Sequence, residues 1–449
     1  SKNKLELYQN YLSIKNTHYL KWAIKQMVGW DRVIEIKNII HIHGDKDPVF
    51  PIDRIKNCIV IPGGTHIMLI VKFKLLNENL TTIITINQTT MTIEEKFKSL
   101  ESKNAPGQEI RQNLDDLSSI MLGDKLDGIL VDFSHGDVDA FPPIPDSDIS
   151  WKNGFNKGAS QAYTEYRGSA EIRNRLAISL GKFTGKHIKY DSELIITPGT
   201  QGALFLALGA TVTVGTKVAV IEPDYFANRK LVKFFGGEVV PIPLNYKNNK
   251  FDNTPDLNKI EEAFKNNTKV FVFSTPNNPT GIVYSENSIK TIGNLAEKYG
   301  VTVIVDQLYS RMLFSSETYT HLRSCDFSPK SLITIMGPSK TESLSGFRLG
   351  VAFGSAHLIE RMESLQAIVS LRTAGYNQAV LDTWFHEPIG WMKNRIHEHE
   401  LIRDELLEIF RSVNIYAVTP QAGSYLFPQL PSLSVDLYTF VRLLRFQAN

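Results

Sequence analysis

Cysteine is almost missing: Cys58 and Cys325 are the two in 449 residues, far apart and outside any CxxC spacing. A disulfide framework and a zinc ribbon are thereby excluded, and the pair reads as two reduced thiols of a cytoplasmic protein. An excess of charge of one sign is missing too. Lys+Arg number 49 and Asp+Glu 47, a formal +2. Without a concentrated basic patch that field is too weak to gather phosphate backbones, so nucleic acid is not an expected partner. No apolar run reaches the ~18 residues that a spanning helix needs. The longest, around 203–214 and 67–71, are short or interrupted by Gly, Thr or Lys, and no membrane span is expected. The opening Ser1-Lys2-Asn3-Lys4 leads into mixed Leu, Glu and Tyr without an apolar signal core, so export is not expected either. Internal repeats and low-complexity tracts are also lacking. What remains is ordinary globular material, with 42% apolar and 21% charged residues. The chain is long enough for two or three domains with a sizeable core.

The sequence changes character between about Val71 and Gln108, where Lys, Asn, Thr, Glu and Gln are frequent and Asn87-Gln88-Thr89-Thr90 carries no periodicity. A junction is expected there. Met91-Thr92-Ile93-Glu94-Glu95 could open a chain of its own, so the junction reads as a gene fusion. Before it, 36–43 and 58–61 suit short strands, 44–51 a loop and 65–76 a helix. After it, the β-branched runs 194–197, 217–221, 270–274, 302–306 and 332–336 alternate with amphipathic helices. Such alternation argues for a parallel sheet covered on both faces. The expected divisions are 1–80, a small α/β fragment; 81–130, the junction and the first helix of the second piece; 131–370, a large α/β domain; and 371–449, a small α+β domain.

In the first piece, His43-Gly44-Asp45-Lys46-Asp47-Pro48 follows a strand and Gly63-Gly64-Thr65-His66 comes after it. The arrangement resembles the last third of an α/β-hydrolase, in which a carboxylate on the loop after a late strand orients a His that activates a Ser. The resemblance makes Asp47 the orienting acid and His66 the base. The Gly-x-Ser-x-Gly elbow is not in the sequence, so the pair has no nucleophile to deprotonate and a truncated remnant is expected. His41 and His43 read as strand and loop residues, and His397 and His399, two apart on a helix, do not share a face. No metal site is expected.

The second piece carries the more informative chemistry. In Met336-Gly337-Pro338-Ser339-Lys340-Thr341 a lysine follows an apolar strand; desolvated there it can be neutral and attack an aldehyde, and otherwise it is a solvated rim residue. Arg348, further along the same loop, offers a planar fork suited to a phosphate. Asp306 ends the run Thr302-Val303-Ile304-Val305-Asp306 at the strand edge where open α/β sheets place ligands. A carboxylate there needs a cation, and a protonated pyridine nitrogen is one that turns its ring into an electron sink. Tyr309 could then hydrogen-bond a phenolic oxygen on that ring, and Asn278, in Thr275-Pro276-Asn277-Asn278-Pro279, adds an amide donor. Thr197-Pro198-Gly199-Thr200-Gln201-Gly202 joins a strand to a helix whose free N–H groups can hold a phosphate. Tyr225, in Glu222-Pro223-Asp224-Tyr225, presents a ring able to stack on a planar cofactor.

In this order the motifs resemble the class I and II aminotransferases of fold type I, and the resemblance covers 133–446. It implies pyridoxal 5'-phosphate (PLP) as cofactor. It also implies an α/β, PLP-transferase-like three-layer sandwich with a mainly parallel sheet, here with an incomplete small α+β domain and the N-terminal α/β-hydrolase-like fragment in front. By the same resemblance Lys340 forms the aldimine and moves the catalytic proton. Asp306 pairs with the pyridine nitrogen, Tyr309 and Asn278 contact the ring oxygen, and Tyr225 stacks on the ring. Thr200, Gln201, Gly202 and Arg348 hold the phosphate. Tyr163, in Ala162-Tyr163-Thr164-Glu165-Tyr166, matches the Tyr that reaches the phosphate of a neighbouring subunit, which implies a homodimer; a core aromatic is the plainer reading. Gly136, in Phe133-Ser134-His135-Gly136-Asp137, matches a glycine that approaches the substrate carboxylate, or is a simple turn. Arg372 either faces the substrate or lies on a helix surface.

Two departures from the family pattern stand out. Gly337 occupies the place where the family more often has a hydroxyl, three residues before the lysine. The Arg that clamps the substrate's α-carboxylate is not found after the expected strand 422–427 and helix 436–447. The expected activity is transfer of an amino group from an α-amino acid to a 2-oxo acid in the cytoplasm. PLP-dependent elimination or oxidation, a hydrolase remnant and a non-catalytic PLP-binding protein are its rivals.

Overall fold

The computed structural model describes residues 42–47, 52–54, 58–65, 92–100, 127–128, 141–158, 163–245, 254–326 and 331–448. The chain divides into two compact units, Ser1–Met91 and Thr92–Asn449. In the first, β1 (Ile42–Gly44) pairs in parallel with β2 (Ile59–Ile61). The turn after β1 is closed by Asp45, whose Oδ1 accepts the Gly63 N–H at 2.6 Å. Asp47 is buried and lies 3.8 Å from His43 Nε2. His66, the expected strand residues 36–41 and all of the expected helix 65–76 after Thr65 lie outside the described residues.

The second unit opens with α1 (Ile93–Lys98), begun by a reciprocal cap in which Thr92 Oγ1 accepts the Glu95 N–H and Glu95 accepts the Thr92 N–H. There follow α2 (Ser147–Gly158), α3 (Ala170–Thr184), β3 (Leu194–Pro198), α4 (Gly199–Gly209), β4 (Lys217–Glu222), α5 (Phe226–Phe234), β5 (Glu238–Pro243), α6 (Leu257–Lys265), β6 (Val270–Ser274), α7 (Glu286–Tyr299) and β7 (Thr302–Asp306). β8 (Leu332–Met336), β9 (Leu349–Gly354), α8 (Ala356–Val369), α9 (Gly375–Gln378), α10 (Trp391–Ser412), β10 (Tyr416–Ala417), β11 (Pro428–Gln429) and α11 (Leu437–Ala448) complete it. The helix ends are written locally. α7 starts where Ser285 caps the Ser288 N–H and stops at Gly300 in the left-handed conformation.

Seven strands form one sheet in the order β3-β9-β8-β7-β6-β4-β5. Six run parallel, and β9 runs against both its neighbours, β3 and β8. Period-two alternation sorts the side chains between two covering layers. Val270 and Val272 of β6 pack with Leu204, Val232 and Ile359 of α4, α5 and α8. Phe271 and Phe273 turn the other way, onto Ile260, Phe264, Ile289 and Ile292 of α6 and α7. A third apolar cluster seats α3 against β3 and β9 through Leu176, Leu180, Ile196 and Val351. This is the three-layer α/β sandwich expected from the sequence.

The five expected strands are present, to within a residue at their ends, and two more join them. β5 carries Pro241 and Pro243, which lack the N–H that a ladder needs; it sits at the sheet's end. β9 has glycine near both of its ends, and it is not among the expected strands. The expected strand 422–427 is not continuous: Ala422 bridges to Leu313, the chain turns at Gly423 (φ 81°), and pairing resumes at Pro428–Gln429 against Tyr416–Ala417. A residue at positive φ interrupts an extended run. No helix among the described residues is long and apolar enough to cross a membrane.

Candidate active site

The carboxyl ends of β3, β4, β6, β7 and β8 converge on a cavity of about 400 Å³. Parallel strands deliver their terminal loops to one edge, so residues far apart in sequence meet there. Lys340, just past β8, lines the cavity and is half-buried. Asp306, the last residue of β7, stands opposite Ser274 on β6 and Ile335 on β8. Its Oδ1 accepts the Leu308 N–H at 2.9 Å, and among the described residues it has no ion-pair partner. Burial pushes its pKa up to about 6.

Tyr309 is buried, with its ring edge-on to Tyr425 at 5.6 Å. Its hydroxyl finds no partner of hydrogen-bond geometry among the described residues. The two asparagines of the β6 loop divide their work. Asn277 is buried, donating to Pro223 O and accepting from Thr280, whereas Asn278 lines the cavity. Tyr225 lies on the wall, its hydroxyl donating to Gln201 Oε1 at 2.9 Å. Burial, and then the charge of Asp306, raise its pKa to about 12, so the phenol stays neutral.

The start of α4 has no side-chain cap and no acidic residue in its first turn, leaving its amide N–H groups available to an anion. Arg348 lies beside it in the left-handed conformation (φ 53°), with Nη1 donating to Ser345 O at 3.0 Å. Close approach is what brings the two together. A Cβ on Gly199 would lie 2.7 Å from Arg348 Nη2, and one on Gly350 would lie 2.4 Å from the Thr200 N. Gly337 has a similar purpose, since a Cβ there would come within 2.7 Å of Thr200 Cγ2. The missing hydroxyl at Gly337 thus makes room for Thr200, whose own side chain lines the cavity.

Thr200, Gln201, Tyr225, Asn278, Asp306, Tyr309, Lys340 and Arg348 therefore line one cavity. Two other expected site residues do not line it. Gly202 is one residue further into α4, facing Pro198. Tyr163 is 64% exposed, and the guanidinium of Arg372 lies 4.7 Å from its ring and 4.4 Å from that of Tyr166. Arg372 also donates to Thr164 O, so it props this segment. Gly136 lies outside the described residues.

One residue that the motifs do not flag is Asp224. It is buried in the cavity wall and accepts from the Ser274 N–H at 2.9 Å, the Tyr225 N–H at 2.6 Å and Ser274 Oγ. Ser274 Oγ in turn accepts the Asn278 N–H at 3.2 Å. Asp224 thus fixes the backbone on which both Tyr225 and Asn278 stand. Burial, partly offset by these donors and reinforced by Asp306, raises its pKa to about 8.

The donor set fits PLP. Among the described residues, a carboxylate without an ion-pair partner, a buried phenol outside hydrogen-bond geometry, a flat aromatic wall and an uncapped helix start beside an arginine would suit its pyridine nitrogen, ring oxygen, ring face and phosphate respectively. Lys340, lining the same cavity, would supply the amine. Sheet order and site together define a PLP-dependent enzyme of the aminotransferase fold.

The chain belongs to the class I and II aminotransferases, whose family profile matches residues 147–446. An aspartate aminotransferase from Rhodobacter sphaeroides 2.4.1, known from its crystal structure, is 55% identical, with a TM-score of 0.75 over 79% of this chain and 88% of that one. Kynurenine–oxoglutarate transaminase 3 of Mus musculus is 27% identical over 324 residues, 69% of this chain and 71% of its own length. An aspartate aminotransferase of Sulfolobus acidocaldarius is 27% identical over 302 residues, 67% of this chain and 74% of its own. The protein is accordingly a PLP-dependent transaminase of amino acids.

Proposed function

We propose that the protein transfers the amino group of L-aspartate to a 2-oxo acid, and that the cavity lined by Lys340 is where it does so. The observation that carries this reading is the meeting of Lys340, Asp306, Tyr225 and Arg348 in one cavity at the carboxyl edge of the sheet. The choice of aspartate rests on the 55% identity to an aspartate aminotransferase.

In this reading Arg348 and the first turn of α4, with Thr200 and Gln201, hold the phosphate. Tyr225, anchored through Gln201, would stack on the cofactor ring, and Tyr309 and Asn278 would donate to its oxygen. Asp306 holds a proton on the pyridine nitrogen. When bound, PLP supplies the electron sink that lets a substrate α-proton leave. Lys340 Nζ is the base that takes that proton and the acid that returns it. Tyr163 serves the site of a second copy, which makes the working form a homodimer, and two free cysteines suit the cytoplasm.

Product analysis tests the reaction. Beyond one equivalent per PLP site, oxaloacetate is expected from L-aspartate only when a 2-oxo acid acceptor is present to take the amino group back off the cofactor. Ammonia release without acceptor would move the assignment to elimination or oxidation.

A further inference from the structure

The three residues after Lys340 are held by charged side chains from distant segments. Glu342 is fully buried; one carboxylate oxygen accepts from Arg311 Nη1 and the other from Thr341 Oγ1. Arg311 follows Tyr309 by two residues, its guanidinium shielded from water, spanning Glu342 and Glu387 and lying 4.1 Å above the Phe385 ring. From the other side, Arg395 on α10 donates to Thr341 O and to Ser343 Oγ, each at 2.8 Å. Ser343 itself is in the left-handed conformation, φ 54°. None of the residues from Thr341 to Ser343 lines the cavity.

Burying ions is costly, and a well-packed apolar pair of the same volume commonly folds at least as well, so stability alone is a poor reason for this arrangement. What an ion pair with fixed hydrogen bonds supplies is a defined distance and direction. Here the pair joins two loops, the one after β7 that carries Tyr309 and the one after β8 that carries Lys340. Left-handed Ser343 is a backbone state that persists only where surrounding contacts enforce it, and Arg395 is such a contact.

We infer that the buried Arg311–Glu342 pair is a positioning device: it sets the Lys340 amine against the Tyr309 hydroxyl, and so controls the rate of proton transfer rather than the binding of the amino acid. This rests on the assignment of Lys340 and Tyr309 to the PLP site. The two ideas fail differently: a wild-type chain with no lysine-dependent visible band would overturn the site assignment, whereas the variants below address the pair.

Glu342→Gln keeps the shape and removes the charge. Loaded with PLP, it is expected to retain the visible band but lose more than half of its induced circular dichroism. Its single-turnover rate at saturating L-aspartate is expected to fall about 10- to 100-fold, with half-saturation changed less than about threefold. Arg311→Lys, which keeps the charge and loses the fork, should recover part of both signals relative to Arg311→Met. Should Glu342→Gln fail to fold, Thr341→Val decides the matter, with a smaller change in the same direction. A lower melting temperature with rate and dichroism within about twofold of wild type would overturn the inference and leave the pair a packing feature.

Discussion

Asp306 and Asp224 give the cavity a testable electrostatic signature. Their pKa values, about 6 and about 8, are raised by burial, and for Asp224 also by the neighbouring Asp306. For a group whose folded pKa is raised, the contribution to stability is full below the unfolded value and is lost as pH rises through the folded value. The cofactor-free protein should therefore lose stability from about pH 4 upward, through about 6 and on toward 8. A pyridinium on Asp306 offsets that loss. Melting temperatures followed by circular dichroism should diverge with rising pH between PLP-free and PLP-loaded protein. Asp306→Asn should flatten the lower part of the PLP-free curve; parallel curves would contradict the assignment. Lys340, Asp306, Tyr225 and Arg348 were legible because each sits in a short motif beside an apolar run. Asp224 sits in one of those motifs, yet its role was not legible: its partner Ser274 is 50 residues away and meets it only through the packing of β4 beside β6.

The elements follow the same division between local and long-range information. β6 could be read because Val270, Phe271, Val272 and Phe273 form an apolar run with branched and aromatic side chains, as a strand buried on both faces requires. β5 and β9 resisted because proline and glycine usually mark turns, and only position overrides them. An edge strand tolerates a missing donor, and β9 needs Gly350 where its backbone touches the start of α4. That contact brings Arg348 to the uncapped helix, so the feature that hid the strand also forms the corner proposed to hold the phosphate. The expected strand 422–427 was misread for the converse reason. Ala422 to Phe427 has strand-like residues, but Gly423 turns the chain where the pattern suggests continuity.

At the scale of the molecule, the unit boundary after Met91 falls within the stretch where the sequence loses its periodicity. The matched family region lies wholly within the second unit. Exposed Tyr163, propped by Arg372, belongs to this scale because in the proposed homodimer it completes a site on the other copy. Tyr163→Phe should raise the dissociation constant for PLP about tenfold, the loss of a hydrogen bond to a charged phosphate, while leaving the sedimentation mass unchanged. Unchanged PLP retention would return Tyr163 to the surface.

The central claim is that Lys340 at the end of β8 is the amine to which PLP binds. The most direct measurement is the absorption spectrum of the chain incubated with PLP and dialysed, beside Lys340→Ala treated alike. The wild type is expected to keep a visible band that changes on adding L-aspartate, and Lys340→Ala to show no such band. A band that survives in Lys340→Ala, or its absence from a folded wild type, would contradict the account.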